Sequence, residues 1–213
     1  LLVSPATTPS GLVVSYSLAE PPAGMGSMGG VASAFDKADR LRVLLVNRTA
    51  GTSLDTVLQF TPAPTVSVPL RLDIGAEQEQ VELTMELRRG TAALFRGSAN
   101  IAVRRADTTA VDVQLAPVPA DVLLPSNLAP LTAYGDTVRL DAAVVFATGD
   151  TIPGLPVAWV SLNPEIASVN QAGHVVALSE GQAQIRATHA GLLGLATVTV
   201  APTVHTVTLQ APT

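Results

Sequence analysis

Apolar and polar residues alternate with a period of two along most of this chain. In "SVPLRLDI" Val68, Leu70, Leu72 and Ile74 alternate with Ser67, Pro69, Arg71 and Asp73. In "EQVELTMELRRG" Val81, Leu83, Met85 and Leu87 alternate with Glu82, Thr84, Glu86 and Arg88. Successive side chains of an extended strand point to opposite faces, so each such segment buries one face and wets the other. "ANIAVRR" and "AVDVQL" repeat the scheme. With "LVVSYSL" and "RLRVLLV", the first half offers about seven strands, the count of a β-sandwich.

Composition agrees with this. Of 213 residues 47% are hydrophobic and 14% charged, enough apolar material for a packed core. Aromatics make up only 3%, so Val, Leu, Ile and Ala must fill that core, and 16 Gly with 16 Pro punctuate many short strands. "APVPAD", residues 116–121, is a stiff Pro-containing joint. Beyond it the alternation restarts, with Val138, Leu140, Ala142, Val144 and Phe146 on one side and Thr137, Arg139 and Asp141 on the other. "VAWVSLN", "IASVN", "GHVVAL", "AQIRATHA" and "LATVTV" follow at even spacing with turn signals between them.

Residues 121–201 resemble a bacterial immunoglobulin-like domain of group 2, the module of invasin- and intimin-type surface proteins. The resemblance rests on Trp159, "NPEIASVN" at 163–170, Gly173, "VVALSEG" at 175–181, "AQIRAT" at 183–188 and "TVTV" at 197–200. The leading "DVLLPSNLAPLTAYGDTVRL" matches the family's opening strand and its Gly-Asp turn. The expected fold is all-β: two β-sandwich domains in tandem, the second immunoglobulin-like. The expected boundaries are 1–117 for a generic surface sandwich with an extended N-terminal segment, 118–202 for the immunoglobulin-like domain, and 203–213 for an extended C-terminal strand. In this reading Asn163-Pro164 starts a turn, Gly173 supplies a positive φ or a close turn, and Ala167, Val169, Val175 and Ala177 fill core. Trp159, inward on the strand matching the family's central one, is expected as the core aromatic.

Few residues point to chemistry. With net charge -5, and only Arg139 and Arg186 as cations after residue 117, no basic face exists for nucleic acid. The absence of Cys removes disulfides and thiolate chemistry. No apolar run approaches the ~20 residues of a membrane span. "GMGSMG", residues 24–29, fits G-x-G-x-x-G, but "EPPA" before it and "GVASAFDKAD" after it offer no strand and no helix-length amphipathic run, so a loop is expected. His174, His189 and His205 lie far apart for a metal set, and no Ser lies in a G-x-S-x-G elbow. Asp36 with Asp39, and Asp136 with Asp141, lack the dense Asp/Asn loop of a calcium site. Glu77, Glu79, Glu82 and Glu86 read as a solvated strand face. Asn47-Arg48-Thr49 is a glycosylation sequon by pattern alone. No catalytic residue, cofactor or metal is therefore assigned.

The ends carry the functional expectation. "TVHTVTLQAPT" alternates like the first strand of one more module, and "LLVSPATTPSGLVVSYSL" is likewise extended. The start at Leu1 rather than Met suits a processed or trimmed chain. An extended segment can add to an exposed sheet edge through main-chain hydrogen bonds. The expectation is a non-enzymatic, secreted or cell-surface structural protein. It is a stalk segment beside neighbouring domains of a longer chain, or a subunit that self-associates head-to-tail by strand addition. Val204, Val207, Leu209, Leu12 and Val14 are the expected contact residues. The alternative is an adhesin-type binding module that recognises a glycan or protein through its loops.

Overall fold

The computed structural model describes residues 10–18, 29–63, 67–72 and 74–203. Among the described residues the fold is all-β with one short helix. The chain forms two compact units, one drawn from Leu1–Pro119 with Phe146–Gly154, the other from Ala120–Val145 with Leu155–Thr213.

The first unit contains β1 (Ser10–Leu18), α1 (Gly29–Asp36), β2 (Arg40–Asn47), β3 (Thr52–Gln59), β4 (Val68–Leu72), β5 (Gln78–Arg89), β6 (Ala92–Arg104) and β7 (Thr108–Pro117). Its strands form one sheet in the order β3-β2-β5-β6-β7-β1-β4. Every pairing is antiparallel except that of β1 with β7. The link between β6 and β7 is narrow, with only Phe95↔Pro117 and Arg96↔Ala116 in register. In a flat sheet β3 and β1 would stand five strands apart, about 24 Å at ~4.8 Å per strand. Yet the ring of Tyr16 in β1 lies 6.1 Å from that of Phe60, the residue after β3. The sheet therefore rolls over onto itself, with alternating apolar residues of its strands other than β3 turned inward. Leu12, Val14, Leu83, Met85, Leu87, Val103 and Leu115 are all fully enclosed.

The helix α1 departs from the loop expected after "GMGSMG", whose residues 24–28 lie outside those described. Val31, Ala34 and Phe35 recur at helical spacing, and Val31 and Ala34 are buried. Phe35 packs edge-on against Phe60 and Phe95 at 6.0 and 6.4 Å. Eight residues are too few to hold a helix by propensity, so tertiary packing supplies what the local pattern lacks. Residues 146–154 also belong to this unit. Phe146 extends the aromatic cluster 5.2 Å from Phe95, and an added Cβ on Gly30 would stand 1.9 Å from the Thr151 carbonyl oxygen. Phe146 is thus not the end of the alternating row begun at Val138: Val144, Val145 and Phe146 are buried in succession.

The second unit is built from β8 (Asp121–Leu123), β9 (Thr137–Arg139), β10 (Ala143–Val145), β11 (Ala158–Ser161), β12 (Ala167–Val169), β13 (His174–Ala177), β14 (Gly181–His189) and β15 (Leu192–Val200). They pair as β10-β8, β11-β14-β15 and β12-β13-β9, all antiparallel. Trp159 is 5% exposed and fills the core with Ile185, Ala187 and Val198. Gly173 has φ +79°, and a Cβ there would stand 2.4 Å from the Leu140 carbonyl oxygen and 3.1 Å from Trp159 Cζ2. Both the conformation and the close approach require glycine. Asn163 closes the turn before β12: its carbonyl accepts from the amides of Ile166 and Ala167, and its side-chain oxygen accepts from Gln184 N at 3.1 Å.

Candidate assembly surfaces

Strand addition needs an edge whose main-chain groups have no partner. Among the described residues the rolled sheet has two such edges, β3 and β4. They are not equivalent. β4 has five residues and carries Pro69, which cannot donate to an incoming strand. β3 has eight residues without proline and pairs on one side only, from Arg40↔Gln59 to Asn47↔Thr52. Leu54 and Val57 on it are 38% and 50% exposed, although Leu54 stands opposite the buried Leu45. A cleft of about 250 Å³ opens here, lined by Leu45, Leu54, Leu72, Ile74 and Val81, with Asn47 and Arg71 at its margin. The cleft is where the roll fails to close.

A buried polar pair holds the end of this cleft. Asn47 Nδ2 donates to the Glu79 carboxylate, while Asn47 Oδ1 accepts from the amides of Thr49 and Ala50 at 3.1 and 3.0 Å. Glu79 also accepts from Gly75 N and Ala76 N at 2.8 and 2.9 Å. The Ala76 amide foremost, then Asn47, holds its carboxyl below the usual glutamate range. The Asn47 amide is therefore occupied and enclosed, and the sequon is not open to modification in the folded protein. The four glutamates are likewise not one solvated face. Glu79 and Glu86 are buried, Glu86 accepting from Arg96 Nε at 2.8 Å and Arg42 Nη1 at 3.4 Å. Glu82 accepts from Arg48 Nη2 at 2.6 Å.

Leu12 and Val14 are completely buried in β1 and paired on both sides within their own chain. Leu12 stands opposite Thr109 and Leu70, and Val14 opposite Val111 and Val68. Val204, Val207 and Leu209 lie outside the described residues, as does His205. His174 pairs with Arg139 across β13 and β9, and His189 Nδ1 meets the Pro156 carbonyl at 2.8 Å. Asp136 accepts from the amides of Thr132 and Ala133, Asp141 pairs with Arg139, and Asp39 accepts from Gly90 N. Each of these carboxylates thus has a local structural task.

One polar cluster in the first unit had no sequence signal. Asp150 accepts from Lys37 Nζ with both oxygens at 2.8 Å, from Ser33 Oγ at 2.8 Å and from Thr148 Oγ1 at 2.6 Å. These donors, Lys37 first, draw its pKa down to about 2. More than a hundred residues separate Lys37 from Asp150, so nothing local in either neighbourhood announces the pair.

Residues 129–200 match the family model described as bacterial Ig-like domain (group 2). No curated protein matches the chain. Among solved structures, domains 4 and 5 of the S-layer protein SbsC align at 14% identity, covering 73% of this chain and 93% of that one, with a TM-score of 0.36. A longer SbsC structure aligns at 10% identity over 91% of this chain, which spans 41% of its length, with a TM-score of 0.35. A fimbrial assembly protein from Parabacteroides distasonis aligns at 8% identity, covering 92% of this chain and 86% of that one, with a TM-score of 0.28. At such scores the likenesses are loose.

Proposed function

We propose that this protein is a non-enzymatic structural component of a bacterial surface, built of two tandem β-sandwich domains, the second immunoglobulin-like, and exported from the cell. It serves as a stalk segment or as a repeating subunit joined head-to-tail by strand addition. The observation that carries the strand-addition reading is the β3 edge: eight proline-free residues, unpaired on one side among the described residues, beside an apolar cleft of about 250 Å³. An added strand would satisfy the edge's main-chain groups and cover Leu54. The donor in this proposal is the segment 204–213 of the next copy, with Val204, Val207 and Leu209 as its contact side chains. The match of residues 129–200 to a bacterial immunoglobulin-like family supports the surface assignment.

The binding-module alternative has one feature in its favour, a shallow cleft of about 270 Å³ lined by Arg139, Asp141, Pro156, Trp159 and Gln171. Trp159 nonetheless lies in the core with little surface to stack on a sugar, so the structural reading is preferred.

Light scattering and negative-stain imaging of the full chain, of a chain ending at Thr203 and of Val57→Lys test the proposal. Concentration-dependent oligomers or fibres that weaken alike in both variants support strand addition. A monomeric full chain, or fibres indifferent to both changes, overturns strand addition and leaves the stalk segment.

A further inference from the structure

The sheet β11-β14-β15 has a buried face and an outer one, and the outer one is unusual for a wet surface. Across it Val160 stands opposite Arg186, and Arg186 opposite Leu195. In the next row Ala158 faces Thr188, and Thr188 faces Leu193. Residues directly opposite in antiparallel strands project to the same side. Val160, Leu193 and Leu195 thus share one face with Arg186, and each is about half exposed. Arg186 lies between aliphatic side chains on the neighbouring strands, with Gln184 and Thr197 in the row beyond, and an enclosed N–H there is costly unless something accepts its hydrogen bond. Among the described residues no ion pair includes Arg186, and its Nε is enclosed without a hydrogen-bond partner.

Elsewhere on the same unit lies the opposite combination. Ser179 Oγ donates to the Glu165 carbonyl at 2.7 Å, and the amides of Leu178 and Ser179 donate to the Ile166 carbonyl at 2.8 and 3.1 Å. These bonds gather Glu165, Leu178 and Glu180 into one knob. Leu178 is 48% exposed, both glutamates are exposed, and neither carboxylate makes an ion pair among the described residues.

We propose that the outer face of β11-β14-β15 is a docking surface for a second copy of this chain, whose Glu165–Leu178–Glu180 knob places its carboxylates on Arg186 and its leucine among Val160, Leu193 and Leu195. Charge complementarity selects the occupant: one unpartnered cation set in aliphatic surface meets two unpaired anions flanking an aliphatic side chain. Face and knob are different patches, so the contact is heterologous and repeats from copy to copy without closing. It does not depend on the β3 edge, and either contact can fail while the other stands.

Charge exchange tests it. Sedimentation of the full chain over a concentration series is compared for wild type, Arg186→Glu, the double variant Glu165→Arg with Glu180→Arg, and an equimolar mixture of the two variants. All carry Val57→Lys in a parallel set, which removes any contribution from the β3 edge. Expected is concentration-dependent association of the wild type, weakened on the order of tenfold or more in each variant alone. The mixture recovers it, because every face then finds a knob of opposite charge and copies alternate. Recovery in the mixture also excludes misfolding as the cause of the loss. A monomeric wild type, variants that associate like wild type, or a mixture as weak as its components would each overturn the proposal. Persistence of the pattern in the Val57→Lys set separates this contact from strand addition.

Discussion

At the residue scale, two positions show different ways in which a side chain is determined. Gly173 must be glycine for conformation and for space together: φ is +79°, and Trp159 lies under it. Gly173→Ala is expected to cost about 2–4 kcal/mol in chemical denaturation, the sum of a left-handed backbone and an overpacked contact. Asp150 is determined by distant partners. Its folded-state pKa of about 2 lies below the ordinary 3.8, so its stabilisation is present above pH ~4 and is lost as pH falls from there towards 2. Asp150→Asn should lower stability by about 1–2 kcal/mol at neutral pH. Melting curves of wild type and variant should draw together as pH falls from ~4 towards 2, and a constant difference across that range would rule out the ionised clamp.

At the element scale, period two located strands well because each half-wet strand carries its own instructions. Of the first-unit segments singled out in the sequence, "LVVSYSL", "RLRVLLV", "EQVELTMELRRG", "ANIAVRR" and "AVDVQL" fall on β1, β2, β5, β6 and β7, with only Gly90 and Arg105 running past a strand end. The helix α1 was not legible, because its eight residues are held by Phe60 and Phe95 from elsewhere in the chain. Nor was β3, "TSLDTVLQ", whose pattern is blurred because an open edge lets Leu54 and Val57 both reach solvent. That openness makes a prediction. Val57→Lys should leave the thermal midpoint almost unchanged, within about 0.5 kcal/mol as for other exposed sites, while abolishing any assembly that uses the edge.

At the scale of the whole molecule, the surprise is how residues 146–154 are distributed. They lie within the stretch expected to form the second domain, yet they supply Phe146 and Asp150 to the first unit. Phe146→Ala should destabilise by about 3–5 kcal/mol through the cavity it leaves beside Phe95. Hydrogen exchange should place the loss in α1 and β6, with the amides of β14 keeping their protection. Loss confined to β14 would mean that Phe146 serves the other unit.

By itself the sequence determined the strand-rich class, the core identity of Trp159, the demand for glycine at 173 and the family resemblance of the later residues. The strand-rich class rests on the two-residue period of an extended backbone, while the expectations for Trp159 and Gly173 came with the family resemblance of their segment. Only the tertiary structure decided that Glu79 and Glu86 are enclosed, that Asn47 is occupied, that Lys37 meets Asp150, and that Leu12 and Val14 are paired within their own chain. Each of these depends on strands distant in sequence meeting in a particular register. Local periodicity says which way a side chain points from its strand, but the sheet order says what it points at.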